Sequence, residues 1–383
     1  VYCMNTANKM IRNLTTVRGI KCWGAHVGIK SMRRDLALIY SEVPASAACT
    51  FTQNEVVAEP VKLSREHIKS GKAQLIVCNA GNANACTGEQ GRLAAEAMAQ
   101  SAAEELGIAK ELVIVASTGL IGEPFPTEHV VNGIRENIVK LTDDAKAGSF
   151  AANAILTTDT FAKEGFMDFE LNGNSINIAG IAKGSGMIHP NMATMLGFIV
   201  CDLAIEPALL HKAVRECVDL SFNMITVDGD TSTNDMVAVM CNGMAENDRI
   251  TSEEDEGYGL FRAKLEEMMI HLAKLIISDA EGASKFIEYQ VINAPSDKIA
   301  RRLVRFISDS TLVKAAMFGR DPNWGRIVCA AGNAGVPFDY ANVVVAVVVV
   351  QLLVRDAVHP YLVEVVVGQL TFKPVVIDRK DGF

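Results

Sequence analysis

The chain has 383 residues, 49% of them hydrophobic and 21% charged, with a net charge of −9. That length allows about two domains and a large core without covalent staples. The acidic balance excludes a general binder of nucleic acid or other polyanions, which needs clustered Lys and Arg.

Before Asp35 there is no acidic residue, while Lys9, Arg12, Arg18, Lys21, Lys30, Arg33 and Arg34 are basic. No apolar core of a secretory signal is present. The segment reads as the basic arm of a cytoplasmic protein, with a remnant of an organellar, mitochondrial-matrix presequence as the alternative. The nine cysteines are scattered, with no C-x-x-C pair and no His pair at zinc-ligand spacing. They give no metal framework and fit a reducing compartment. Cys78 and Cys201 lie in apolar runs and read as small core residues.

In chain order, Gln74–Asn79 predicts a strand, the Ala-rich Gly91–Leu106 a helix, and Glu111–Ser117 another strand. Pro126–Leu141 predicts an amphipathic helix opened by Pro and Thr. Phe166–Gly184 holds two β-rich runs around Asn172-Gly173-Asn174, a hairpin signal. A strand is expected from Thr194 to Leu203 and a helix from Glu206 to Phe222. Two more strands, Met224–Asp230 and Met236–Gly243, are expected around the polar loop Thr231–Asp235. A long helix covers about Ser252–Ile277. Phe286–Ala294 predicts a strand, and Ser296 an N-cap for a helix to Ile307. The apolar run Val343–Val350, continuing from Leu352 to Val354, is too short for a membrane helix and reads as a buried strand.

This mixture predicts an α/β fold, an α+β layered sandwich with mixed sheets between helices, plus a smaller C-terminal α/β domain. The expected limits are residues 1–280 for the catalytic domain and 281–383 for the smaller one. Lys183-Gly184-Ser185-Gly186 has two glycines in dinucleotide order, but His189 stands where the third belongs, and no Walker A lysine pattern occurs.

The segment KGSGMIHPNMATMLGF, Lys183 to Phe198, carries the chemistry. Glycines flank Ser185, Pro190 follows, and the chain then enters a strand at Thr194. A lone threonine at a loop-to-strand boundary is ordinary, because Thr favours strands. Here small and turn-forming residues precede it, which allows the Ala193–Thr194 bond to be exposed and strained. Hydroxyl- and amide-rich loops accompany it: Ser117–Gly119, Thr157–Thr160 and Asp228–Asp235.

Seven ordered segments make the pattern specific: VPASAACTFTQN (43–54), GNANACTGEQG (81–91), VASTGLIGEP (115–124), ILTTDT (155–160), KGSGMIHPNMATML (183–196), TVDGDTSTND (226–235) and GRDPNWGRI (319–327). In these the chain resembles the ornithine acetyltransferase, or glutamate N-acetyltransferase, family of arginine biosynthesis. The resemblance implies self-cleavage before Thr194, with Thr194 Oγ attacking the Ala193 carbonyl. The fragments would be an alpha chain of 1–193 and a beta chain from 194. The new α-amine, with a reference pKa of about 7.7 to 8.0, then serves as base for its own hydroxyl. This leaves His189 unnecessary as a base, although it lies near in sequence.

By the same resemblance Thr118 and Gly119 form the oxyanion site, and Thr157, Lys183, Thr194 and Glu281 bind substrate. Lys183 suits an α-carboxylate and Glu281 the side-chain ammonium of ornithine. The implied reaction is ping-pong acetyl transfer from N-acetylornithine to glutamate, without metal or organic cofactor. Acetyl-CoA serves some members as a second donor, which these residues do not decide. An α2β2 heterotetramer is implied, and neither nucleic acid nor membrane as partner. The C-terminal segment VVIDRKDGF has no counterpart of the family's Asn and hydroxyl residue there, and the Val-rich stretch also departs from the family. The alternatives are a self-cleaving aminopeptidase or amidase, in which water resolves the acyl-enzyme, and a non-catalytic binding protein.

Overall fold

The computed structural model describes residues 11–189, 195–337, 343–350 and 361–369. The chain divides into two compact units, Val1–Glu281 and Gly282–Phe383.

The first unit runs β1 (Ile20–Ala25), β2 (Leu36–Phe51), α1 (Glu59–His67), β3 (Lys72–Asn82), α2 (Gly88–Leu106), β4 (Val113–Leu120), α3 (Thr127–Ile138) and α4 (Ala145–Ala154). It continues with β5 (Lys163–Leu171), β6 (Asn174–Lys183), β7 (Leu196–Cys201), α5 (Pro207–Leu220), β8 (Met236–Cys241) and α6 (Glu256–Ser278). The strands form one eight-stranded sheet in the order β4-β3-β2-β8-β7-β6-β5, with β1 on β2. The pairs β3–β4 and β7–β8 are parallel and the rest antiparallel, so the sheet is mixed.

Strand alternation sorts the core. Ile39, Ile76, Ile114, Ile181, Phe198 and Met240 point into one shared core, which also receives Ala147 and Ala151 of α4. Their neighbours point the other way, into two separate cores. Leu38, Val77 and Val115 meet Met98 of α2 and Ile134 of α3. Ile178, Ile199 and Val239 meet Val214 of α5 and Leu272 of α6. Both faces of the central strands are therefore covered, and β7 and β8 are buried at every residue. That is why their sequences are continuous apolar runs rather than alternating ones.

β2 joins the halves. Leu36–Tyr40 pairs with β3, the register breaks before Ala45, and Ser46–Phe51 pairs with β8. Sequence periodicity did not bring out this strand, because its small residues (Ala45, Ala47, Ala48) carry little strand signal. The β5–β6 hairpin turns on Asn172 and Gly173, both at positive φ (50° and 81°), as the Asn-Gly signal requires.

One expected element is absent. Met224–Asp230 is not a strand. A short 3-10 turn ends at Met224, and the chain then runs as a loop whose Asp228 carboxylate takes backbone N–H groups instead of a sheet neighbour. The strand expected after the polar loop does form, from Met236 to Cys241.

The second unit has β9 (Lys285–Ile292), α7 (Asp297–Asp309), α8 (Thr311–Phe318), α9 (Trp324–Gly332), β10 (Val343–Val350) and β11 (Tyr361–Gln369). Its three-stranded sheet has the order β10-β11-β9, antiparallel then parallel. Ser296 caps α7 through Ile299 N, and Ile287, Tyr289 and Val291 of β9 pack on Leu303, Ile307 and Ile327. The Val-rich run 343–350 is β10, a strand as expected. Among the described residues no helix is long and apolar enough to cross a membrane.

Candidate active site

A cleft of about 490 Å³ opens in the first unit. Its lining includes Thr118, Gly119, Thr157, Lys183 and Glu281, five residues singled out in the sequence, together with Lys30, Asn234 and Asp235. Ala193 and Thr194 lie outside the described residues. Met195 and Leu196, immediately after them, line the cleft.

One wall is neutral. Thr118 and Gly119 end β4, and their support is a chain of amides. Ser117 Oγ donates to Asn79 Oδ1 (2.5 Å), Asn79 Nδ2 to Asn82 O (2.9 Å), and Asn82 Nδ2 to Pro124 O (3.1 Å). Asn234 Nδ2 donates to Ala83 O (2.6 Å) and Ser117 O (2.8 Å), which ties the 231–235 loop to the same wall. Gly119 has φ 137°, and a Cβ there would lie 2.2 Å from the Gly81 carbonyl carbon. No other residue fits without moving backbone.

The other wall is ionic. Lys163 Nζ, fully buried, donates to Asp159 Oδ1 (2.7 Å) and Asp279 Oδ2 (2.6 Å). Asp159 also accepts from Thr157 N (2.9 Å) and Gly184 N (2.8 Å). Asp279 accepts from Thr160 N, and its backbone O accepts from Ser185 Oγ (2.5 Å). Glu281 N donates to Ser185 O (2.9 Å). Thus one buried cluster fixes the loops bearing Thr157, Lys183 and Glu281. Gly186 lies against the Glu281 carboxylate, where a Cβ would come within 2.7 Å.

Lys183 Nζ lies 3.5 Å from Thr118 Oγ1 and 3.9 Å from Asp159 Oδ2. Burial lowers its pKa, opposed by Asp159. Burial alone would raise the Asp159 carboxyl, but Lys183, Lys163 and the hydrogen bonds outweigh it and hold it at about 2. Lys30 Nζ donates to Arg34 O (2.6 Å), Leu156 O (2.7 Å) and Ala154 O (3.4 Å), so it braces the strand of chain entering Thr157. Burial brings its pKa down to about 8. Its own backbone N–H is held by the buried Asp35 carboxylate (2.9 Å).

His189 does not line the cleft, and its Nδ1 lies 3.1 Å from Thr226 Oγ1. Asp159, Lys163, Asp279, Lys30 and Asn234 were not singled out from sequence. For Asp159 and Asn234 a signal existed, since both lie inside motif segments; for Lys163 none did. Among the described residues no group of three or more His, Cys, Asp or Glu side chains is arranged to hold a metal ion.

A mixed sheet between helix layers, with a cleft that brings hydroxyl and backbone donors together with two lysines and two carboxylates, defines the chain as a layered α/β enzyme. The ArgJ family model matches residues 21–376. The chain is 50% identical over 333 residues to the arginine biosynthesis bifunctional protein ArgJ of Symbiobacterium thermophilum, covering 86% of this chain and 82% of that one. It is 46% identical over 365 residues to the protein of the same description from Thermosynechococcus vestitus, covering 92% and 85%. A solved structure of arginine biosynthesis bifunctional protein argJ from Bacillus halodurans is 42% identical, covers 48% of this chain and 95% of that one, and has a TM-score of 0.46. The chain belongs to the ArgJ family.

Proposed function

We propose that this enzyme is an acyltransferase of arginine biosynthesis that moves acetyl from N-acetylornithine to glutamate through Thr194. The carrying observation is the convergence of Thr118, Gly119, Thr157, Lys183 and Glu281, from four separate stretches of chain, on one cleft that Met195 also lines.

Thr194 Oγ first attacks the Ala193 carbonyl, giving an ester by N-to-O shift, and water cleaves it. The freed α-amine of Thr194 then takes the hydroxyl proton as Oγ attacks the acetyl carbon of N-acetylornithine. The C–N bond breaks, the proton passes to the leaving amine, and acetyl-Thr194 remains. Glutamate's amine attacks this ester, transferring acetyl and restoring the hydroxyl. Thr118 Oγ and Gly119 N–H stabilise the oxyanion in each step. Lys183 takes the shared α-carboxylate, and Glu281 the ornithine ammonium. A cytoplasmic site of action completes the reading.

Cutting at Ala193–Thr194 would leave the fragments joined. β6 pairs with β7 from Ile178↔Cys201 to Lys183↔Leu196, and β7 and β8 are inserted between β6 and β2. This ladder supports an alpha–beta pair that stays folded, and an α2β2 assembly built from it.

The test supplies N-acetylornithine with and without glutamate. Acetyl recovered on glutamate supports transfer; acetate formed at the same rate in both cases points to an amidase instead. Denaturing mass spectrometry should find two pieces, the second starting at Thr194.

A further inference from the structure

The segment Gly184–His189 leads toward the proposed cut and is held from two sides. Inside, Asp159 takes Gly184 N and Asp279 O takes Ser185 Oγ. Outside, the chain passes through Met187 at φ 57°. A residue with an unbranched apolar side chain seldom adopts this left-handed conformation, and it persists only where surroundings enforce it.

The enforcing group is Asp228. Its Oδ2 accepts from Met187 N (2.6 Å) and its Oδ1 from Ile188 N (2.9 Å). The same Oδ1 accepts from Asp230 N (3.1 Å), which fixes the carboxylate on its own loop. Two more bonds join the loops: Val227 N to Ile188 O (2.6 Å) and Thr231 Oγ1 to His189 O (2.9 Å). Asp228 is exposed and is not among the cleft-lining residues. Its carboxylate therefore acts on backbone rather than on a substrate, and a charged acceptor makes each such bond stronger than a neutral one would.

We propose that Asp228 is a positioning residue for self-cleavage. It holds Met187 in its left-handed turn and takes the N–H of Ile188 beside it, which fixes the chain up to His189, just ahead of the segment that carries the bond to be cut. This gives the TVDGDTSTND segment a task beyond lining the cleft. The inference rests on the Ala193–Thr194 reading above.

The test is a pulse of labelled full-length chain made in a cell-free extract, chased, and followed on denaturing gels. Asp228→Asn keeps one acceptor oxygen and should slow cutting about tenfold; Asp228→Ala keeps none and should slow it further. Thermal midpoints are compared in uncut chains, Thr194→Ala against Thr194→Ala with Asp228→Ala, and should differ by only about 2 °C because the residue is exposed. Wild-type cutting rates in both Asp228 variants overturn the inference. So does slowed cutting that comes with a collapse of the thermal midpoint, which would make Asp228 merely structural. Continued cutting in Thr194→Ala alone overturns the nucleophile reading instead, so the two failures are distinct.

Discussion

The two walls of the cleft solve the same positioning problem with opposite chemistry. The wall carrying Thr118 and Gly119 is braced by uncharged side chains, Asn79, Asn82, Ser117 and Asn234, each bonded to a backbone carbonyl or to another side chain. The wall carrying Thr157, Lys183 and Glu281 rests on buried charges, Asp159, Lys163 and Asp279. A neutral brace holds Thr118 and Gly119 through side chains that carry no charge of their own. An ionic brace holds three loops at once, but each partner depends on the others. Removing one ion from such a cluster strands the rest in low dielectric.

The largest expected effect breaks the ionic wall. Lys163→Met strands two buried carboxylates and should cost about 3–5 kcal/mol of stability, measured by denaturant unfolding. A loss below about 1 kcal/mol would mean the wall holds without it. Next comes Thr118→Ala on the neutral wall, which should lower kcat about 100- to 1,000-fold, with the thermal midpoint nearly unchanged. Steady-state kinetics with N-acetylornithine and glutamate decide this, and an unaltered rate removes Thr118 from the oxyanion site.

A smaller effect is pH-dependent and belongs to the ionic wall. The pKa of Asp159 in the folded chain, about 2, lies below its ordinary 3.8. Its ionised form therefore favours folding above about pH 4, and that stability is lost as the pH falls toward 2. The contribution is on the order of 2 kcal/mol. Asp159→Asn should flatten the stability profile over that window in acid titrations, while Ser117→Ala should leave its slope alone. Ser117→Ala is also the smallest perturbation. It removes one bond to Asn79 and should cost about 1 kcal/mol of stability by thermal unfolding. A larger loss than Lys163→Met would invert the comparison of the two walls.

Legibility in the sequence followed how local each signal was. Helices α2, α5 and α6 and the Asn172-Gly173 hairpin declared themselves through composition, 3.6-residue periodicity and turn chemistry, all carried within a few residues. The loop 224–230 looked like a strand because Ile225 and Val227 favour one. It is not one, since its neighbours are the 187–189 turn and not a sheet edge. Cleft residues emerged where they sat in ordered motifs, as with Thr157 and Lys183.

By itself, then, the sequence determined the mixed α/β character, the polar loops that gather at the cleft, and the Gly-rich segment before Thr194, because propensity and turn chemistry act over short stretches. Only tertiary structure decided that Lys163 is a buried linchpin rather than a surface charge at the start of a strand. Its partner Asp279 is 116 residues away, and burial of an ion pair depends on which distant loops pack together. The same holds for Lys30 beside Leu156, and for Asp228 beneath Met187. Short-range patterning cannot encode such meetings, since they are made by the sheet order that brings these loops to one place.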